Sequence, residues 1–461
     1  MKPLLVVAIL VHSICLASCY YESNLTSSSL NDNSIKLGIA LALRGNPISI
    51  QGQAATMAVD EINAAGGING ATIELIIRDS GCSSLIAPNE VQRMIDEHQI
   101  VGLVGPTCSS GAKIIIPDIL PNHNLPTIGT TTTAPELTTL DEANLFFRLR
   151  TSDLVQINTL VEEIISDGVT RLAIIHRAGN DVFNIAIAQG LKDQFSAQAG
   201  KEVSAIVGYP ESSLTEFDSE VNTLLDAGDF DGIAIIGFPV DSANVAAAIA
   251  LGMANRGITR SSLSGVYINL IRGINESVLL PVYLELLTGS KTIRFNTPSA
   301  LTAPYFENWL TEFKILFPND NFTLLNEENV GRQHAYDGVY LMALAMLQGG
   351  VNEDTSVGDT RNLILANLTS VSGSDAALDA VEIKPGEFNL AITTLAAGGS
   401  INYNGASGVI DFDAFGDVNY ADLQVMEATQ VNGQIVYNCL RGVRIFPVAQ
   451  GFDSEASACL D

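Results

Sequence analysis

The chain has 461 residues, 47% hydrophobic and only 16% charged, a composition that excludes a disordered protein and a length that predicts two or three domains. Its 23 Lys and Arg against 51 Asp and Glu leave a net charge of −28. Such a surface repels phosphate backbones and excludes nucleic acid as a partner, while serving solubility, above all in a salty habitat.

The first nineteen residues read as an export signal rather than as fold. Lys2 supplies a positive start, Leu4 to Leu10 a short apolar core, and Leu16-Ala17-Ser18 small residues before Cys19. The apolar run is too short to span a bilayer, and no other stretch is long enough. The ending resembles a bacterial lipobox, which implies that Cys19 is diacylated and becomes the mature N-terminus; an ordinary signal peptide with Cys19 incidental is the alternative. Residues 20–34 are rich in Ser, Asn and Thr and read as a flexible tether. Tyr20, where an inner-membrane lipoprotein would carry Asp, resembles the outer-membrane pattern. Export leaves four cysteines, Cys82, Cys108, Cys439 and Cys459, and an oxidising compartment predicts two disulfides in one of three pairings. Neighbour pairing is the simplest, and closing the loop from Cys82 to Cys108 should contribute roughly 3 kcal/mol. With no CxxC pair and scattered histidines, no metal site is expected.

Beyond the tether, strand and helix patterns alternate. Ile35 to Leu43 is a nearly continuous apolar run, as in a strand buried on both faces. Ala54, Met57, Ala58, Ile62 and Ala65 form a helical stripe that stops at Gly66-Gly67. There follow a strand at Ile73–Ile77, a helix at Pro88–His98, a strand at Val101–Gly105, a helix at Ala112–Leu120 and a strand at Pro126–Gly129. A second series begins with a helix at Leu154–Ser166 and a strand at Leu172–His176. It continues with Phe183–Ala199 (helix), Glu202–Val207 (strand), Leu214–Asp226 (helix), Gly232–Gly237 (strand) and Val245–Asn255 (helix). Short connections favour parallel sheets with right-handed crossovers. Two such sheets would place a ligand where strand C-termini of both lobes face one cleft.

Two hydroxyl-rich turns follow strands of the first series. Pro106-Thr107-Cys108-Ser109-Ser110-Gly111 leads into a helix, whose free N–H groups suit an anion, though Ser109 also fits a plain helix cap. Thr130-Thr131-Thr132-Thr133-Ala134-Pro135 follows the next strand, and the two turns can converge on one head group. No catalytic constellation accompanies them. GxSxG, a Walker loop and GxGxxG after the first strand are absent. His176 ends a strand with no nucleophile identifiable beside it, and the Asp60-Glu61 pair reads as a solvated helix face. The chain reads as a non-enzyme, with no cofactor.

The stretch "AVDEINAAGGINGATIELIIRDSGC" resembles the first helix and second strand of type I periplasmic binding proteins of the branched-chain amino acid (Leu/Ile/Val) family. "VGLVGPTCSSGAKIIIPDIL" and "LPTIGTTTTAPELT" resemble that family's head-group loops; "AYDGVYLMALAM" and "LAAGGSINYNGASGVIDFDAFGDVNY" resemble its later helix and closing segment. The resemblance runs from Ile35 to about Val436. It implies an α/β fold of two Rossmann-like doubly wound lobes joined by three crossover strands, near Arg150, around Arg294 and after Asp417. Residues 35–150 with about 295–417 would form one lobe, and 151–294 with about 418–461 the other.

The resemblance also implies a disulfide between Cys82 and Cys108. It assigns Ser109 to a ligand carboxylate and Thr131, Thr132 and Thr133 to the loop that binds carboxylate and ammonium. In the second lobe it places Phe183 and Phe238 where the family carries cleft aromatics, usually with a hydroxyl that both lack here. No Asp or Glu stands near Gly265-Val266-Tyr267, where relatives place an acid for the ammonium, and Asp181 is the candidate to supply that charge. The expected function is capture of a small polar solute, an amino acid or analogue, by a monomeric lipid-anchored protein of the cell envelope that delivers it to an ABC permease. A ligand-sensing module of the same fold is the alternative. Replacing Ser109 or Thr133 is expected to weaken binding and leave unliganded stability nearly intact. If the lipobox reading holds, Cys19→Ser abolishes incorporation of labelled fatty acid and releases the protein from membranes; unchanged membrane partitioning contradicts it.

Overall fold

The computed structural model of the chain describes residues 34–43, 49–141, 144–179, 181–210, 216–269, 281–295, 303–318, 331–418, 420–448, 451–457 and 459. The signal segment, Cys19, the tether up to position 33 and Asn180 lie outside the described residues.

β1 (Ile35–Leu41) pairs in parallel with β2 (Ile73–Asp79) and β3 (Gly102–Val104). β4 (Thr127–Gly129) and β5 (Phe146–Arg148) extend the sheet to the order β2-β1-β3-β4-β5, all parallel. Leu37, Ile39, Ala40 and Leu41 are all buried because helices cover both faces. α1 (Ile50–Ala64) begins at Ser49, whose hydroxyl accepts a hydrogen bond from the Gly52 N–H. That start precedes the apolar stripe by a turn, because Gln51 and Gly52 are buried by the return of the chain and not by a pattern of their own. α2 (Ile86–His98), α3 (Ser109–Asp118) and the single turn α4 (Leu120–His123) cover the other face through Val91, Met94, Ile115 and Leu120. Gly105, between β3 and α3, has φ +109°, and a Cβ there would stand 2.4 Å from the Ala40 carbonyl oxygen. Only glycine lets this turn pass so close to β1.

The chain then leaves this sheet. α5 (Leu154–Ser166) has the bounds its periodicity predicts. After it come β6 (Arg171–Arg177), α6 (Val182–Ser196), β7 (Glu202–Tyr209), α7 (Asp218–Asp226), β8 (Gly232–Ile236), α8 (Pro239–Asn255), β9 (Gly265–Ile268), α9 (Pro281–Leu287) and β10 (Lys291–Phe295). These strands form a parallel sheet in the order β7-β6-β8-β9-β10. α5 and α6 fill one face, and α7, α8 and α9 the other.

From α10 (Phe306–Leu316) to Val418 the chain packs again on the first sheet. α11 (Arg332–Gln348), buried on nearly every side, lies against α1. α12 (Val357–Asn367), β11 (Val381–Ile383), α13 (Phe388–Ala396) and β12 (Ile401–Tyr403) complete this layer, with Ile364, Ile383, Phe388 and Tyr403 in its core. The last segment, β13 (Ala421–Val431), β14 (Gln434–Val448) and β15 (Gly451–Ser457), adds three antiparallel strands to the β10 edge of the second sheet. Asn432 and Gly433, with φ 52° and 80°, make the tight β13–β14 turn. The fold is thus α/β, two Rossmann-like lobes joined by three crossings: from β5 to α5, from β10 to α10, and from Asp417 into β13. No helix among the described residues is long and apolar enough to cross a membrane.

Cys82 is bonded to Cys108, and Cys439 on β14 to Cys459, with Cα separations of 5.1 and 5.9 Å. The first bond holds Cys108, the residue that precedes α3, within the first hydroxyl-rich turn. Peptide mapping without reduction is expected to recover these two linked pairs; a free thiol at any of the four positions in exported protein counts against them.

Candidate ligand-binding site

The two hydroxyl-rich turns lie at the C-terminal ends of β3 and β4, neighbours in the first sheet. Ser109, almost wholly buried, accepts hydrogen bonds on its Oγ from the N–H groups of Thr133 and Ala134, at 3.2 and 3.3 Å. The Thr131 hydroxyl donates to the Thr107 carbonyl at 2.6 Å, and Thr130 to Gln51 Oε1 at 3.2 Å. Gly331, just before α11, is packed on Thr131 and Gln51: a Cβ there would stand 2.4 Å from Thr131 Cγ2. Thr132 is buried with its hydroxyl lacking a partner among the described residues. The turns predicted separately thus form one polar surface, cross-linked by Ser109. This corrects the expectation that replacing Ser109 leaves unliganded stability nearly intact, since its oxygen satisfies two buried N–H groups.

The second lobe meets this surface through α6. Val182 and Ala186 pack on the apolar cluster that holds Ala112, Ile115, Ile116, Ala134 and Leu137. Asp181 caps α6 by accepting from the Asn184 N–H at 3.2 Å, and its other oxygen takes the Asn184 side-chain NH2 at 2.7 Å. The same carboxylate pairs with Arg177 at 3.1 Å, so the cation it faces belongs to the protein. Arg177 also pairs with Asp241, and its guanidinium lies 5.2 Å from the centre of the Phe238 ring. Phe183 and Phe238 are half-buried and stack on each other, with ring centres 6.0 Å apart and planes 11° apart. Behind them Tyr209 presses its hydroxyl on Gly237, where a Cβ would stand 2.1 Å away. The structure therefore groups Ser109, Thr131, Thr132 and Thr133 on one lobe and Asp181, Phe183 and Phe238 on the other, with α6 in contact between them.

Three further residues of this region carry no signal in the sequence: Asp153, His334 and Asn269. Asp153, at the first crossing, is 1% exposed, and its backbone N–H donates to the Thr133 carbonyl at 2.8 Å. Burial raises its carboxyl to about 6, against a hydrogen bond from the Thr133 side chain and the positive charges of Arg150 and Arg148. Its Oδ2 has no hydrogen-bond partner among the described residues. Close by, burial and the Arg150 charge lower the His334 imidazole to about 3, so it is neutral at physiological pH. Asn269 follows β9; its Oδ1 accepts from Gln156 at 2.7 Å, and its Nδ2 lacks a partner among the described residues.

The remaining chemical candidates are structural. His176 sets its Nδ1 2.8 Å from the Arg177 carbonyl. The expectation that Asp60-Glu61 is solvated is corrected at Glu61, whose carboxylate accepts from the hydroxyls of Tyr336 and Tyr340 and is pushed up by burial. Asp60 is exposed, as expected.

A family model described as the receptor family ligand binding region matches residues 50–430. The chain belongs to this ligand-binding-region family. Within its reach, an amino acid binding protein of Pseudomonas aeruginosa is 27% identical over 186 residues, covering 40% of this chain and 47% of that protein. The chain thus spans under half the length of that relative. The chemotactic signal transduction system substrate-binding protein BasB of Halobacterium salinarum is 25% identical over 362 residues, 77% of each chain. Among solved structures, the leucine binding protein LivK of Thermotoga maritima has the same fold, with a TM-score of 0.60 at 16% identity over 88% of this chain and 97% of that one. The architecture is that of the Leu/Ile/Val type of periplasmic binding proteins, and these relatives are named as binding proteins.

Ser109→Ala is expected to lower the unfolding free energy of the unliganded protein by about 1–3 kcal/mol, because two buried N–H groups lose their acceptor. Denaturant melts check this; a change below about 0.5 kcal/mol contradicts the cross-linking role.

Proposed function

We propose that the chain is an extracytoplasmic solute-binding lipoprotein that captures a small amphoteric solute, an amino acid or close analogue, between its lobes for an ABC importer. It is read as a monomer anchored through Cys19, with no catalytic role. One observation carries the reading: hydroxyl-rich turns that suit a carboxylate share a buried surface with the open carboxylate oxygen of Asp153. An anion-binding turn beside a buried carboxylate fits a molecule bearing both charges. N–H groups at the start of α3 and the Thr132 hydroxyl would receive the carboxylate, while the Thr133 hydroxyl stays on Asp153. Asp153 would receive the ammonium, since Asp181, the sequence candidate for that role, is paired with Arg177. The stacked Phe183 and Phe238 rings would face the solute's apolar part, and hinge motion at the crossings would close the lobes.

A sensing role is the second reading. It is favoured by the likeness to BasB, which extends over 77% of both chains and whose name assigns it to chemotactic signal transduction. Both readings use the same site and differ in what reads the closed form.

The pH dependence of binding tests the site. Asp153 must be ionised to meet an ammonium group, and its carboxyl stands near 6 instead of the ordinary 3.8. Affinity for an amino acid is therefore expected to fall as pH drops below 6, approaching a tenfold loss per unit. In the unliganded protein the sign reverses. A raised carboxyl favours the folded state below about 4, and that contribution is lost as pH rises through 6. Asp153→Asn should flatten both profiles and weaken binding at pH 7.5. Calorimetric titrations from pH 5 to 8 read the first; a profile as steep in Asp153→Asn as in the wild type removes Asp153 from the site.

A further inference from the structure

We infer that Arg148 is a positioning residue for solute capture, tying the head-group turn to two of the three crossings so that turn geometry and hinge position change together. The inference rests on the proposed reading of residues 130–134 as the solute's head-group turn.

Arg148 is the last residue of β5 and has no exposed surface. Its Nε and Nη2 form a fork on the two oxygens of Asp417, at the third crossing. Nη1 donates to the Ala134 carbonyl at 3.0 Å, and Nη2 also donates to the Thr138 hydroxyl at 2.5 Å. Thr138, in the short 3-10 helix Pro135–Thr139 that follows the turn, in turn donates to Asp417 at 2.7 Å, closing a triangle of that helix, first crossing and third crossing. The backbone repeats the link: the Arg148 N–H donates to the Gly416 carbonyl at 2.9 Å. Three residues on, the Thr151 hydroxyl donates to the Tyr420 carbonyl at 2.7 Å, so the two crossings run side by side.

A guanidinium is planar and rigid, and its donors cannot move independently. Rotation of the crossings during hinge motion must therefore be shared by Ala134 and Thr138, or else break bonds to a buried cation. Ala134 directly follows Thr133, and its N–H is one of the two held by Ser109. The turn is thus clamped at one end by Ser109, in the first lobe, and at the other by Arg148, at the hinge. Asp153 adds a third tie through its N–H to the Thr133 carbonyl. A scaffold residue of the lobe would need none of these connections to the crossings.

Thr138→Val removes the hydroxyl that joins turn to hinge and keeps the side chain's shape and the Arg148–Asp417 pair. Hydrogen exchange of the unliganded protein and titration with L-leucine are read together. The expected result is faster exchange confined to residues 130–140, with β1 and β6 unchanged, and roughly tenfold weaker L-leucine binding. Thr138→Ser should restore both, which loss of packing alone would not allow. Asp417→Asn should also loosen 130–140, although it lies at the other crossing. Unchanged exchange at 130–140 in both Thr138→Val and Asp417→Asn overturns the inference, as does altered exchange with unaltered L-leucine affinity. A wild type that binds neither L-leucine nor any other L-amino acid contradicts the proposed solute class, while the exchange comparison still decides the role of Arg148.

Discussion

The buried ion pair between Arg148 and Asp417 is the constraint on which the rest of the structure depends. It joins positions 269 residues apart in sequence, the end of the first sheet and the end of the chain's return to that lobe. Removing either partner would strand a charge in the interior, a loss of about 3–5 kcal/mol. Around this pair the chain can leave the first lobe, build the second and come back without losing the register of its crossings. The remaining Arg148 donors reach the Ala134 carbonyl and the Thr138 hydroxyl, so the same group that fixes the crossings also fixes the turn beside them.

That arrangement accounts for a polar surface held together by the protein's own hydrogen bonds. Ser109 satisfies two turn N–H groups, Thr131 bonds back to Thr107, and Asp153 holds the Thr133 carbonyl. A turn held in this way has little conformational freedom left to lose on binding, which is where preorganisation gains affinity. The buried polar atoms without a partner among the described residues include the Thr132 hydroxyl after β4, the Asn269 amide nitrogen after β9 and Asp153 Oδ2 at the start of α5. Against a net charge of −28, the Arg148, Arg150 and Arg177 guanidinia are gathered at the crossings and the facing end of the second lobe.

What was legible in the sequence follows from how local each signal is. The apolar period of α5 marks its ends to the residue, and the runs that become β1, β6 and β8 stand out because both faces of their sheets are covered. The hydroxyl-rich turns were visible because each is a short continuous segment after a strand. The C-terminal antiparallel strands were not assigned, although Asn432-Gly433 is a direct hairpin signal. In β13 the alternation of Asp422, Leu423, Gln424 and Val425 breaks at Met426, which leaves only a short period to read. Glu61 looked solvated because its partners, Tyr336 and Tyr340, lie 275 and 279 residues away. Asp181 looked available although its Arg177 partner lies only four residues away, because no helical period joins the two positions to show that their side chains meet. Asp153 reads as an ordinary helix-start acid until the fold buries it against Thr133 and Arg150.

The most direct test of a cleft built for one molecule carrying both charges is a thermal-shift comparison of L-amino acids with their amine and acid halves. A solute at one hundred times its dissociation constant stabilises the folded protein by about 2.7 kcal/mol, enough for a shift of several degrees. The account predicts that at pH 7.5 at least one L-amino acid raises the melting temperature in this way, while the matching decarboxylated amine and deaminated acid do so weakly or not at all. Equal stabilisation by the acid alone, or stabilisation only by uncharged solutes such as sugars, would contradict it.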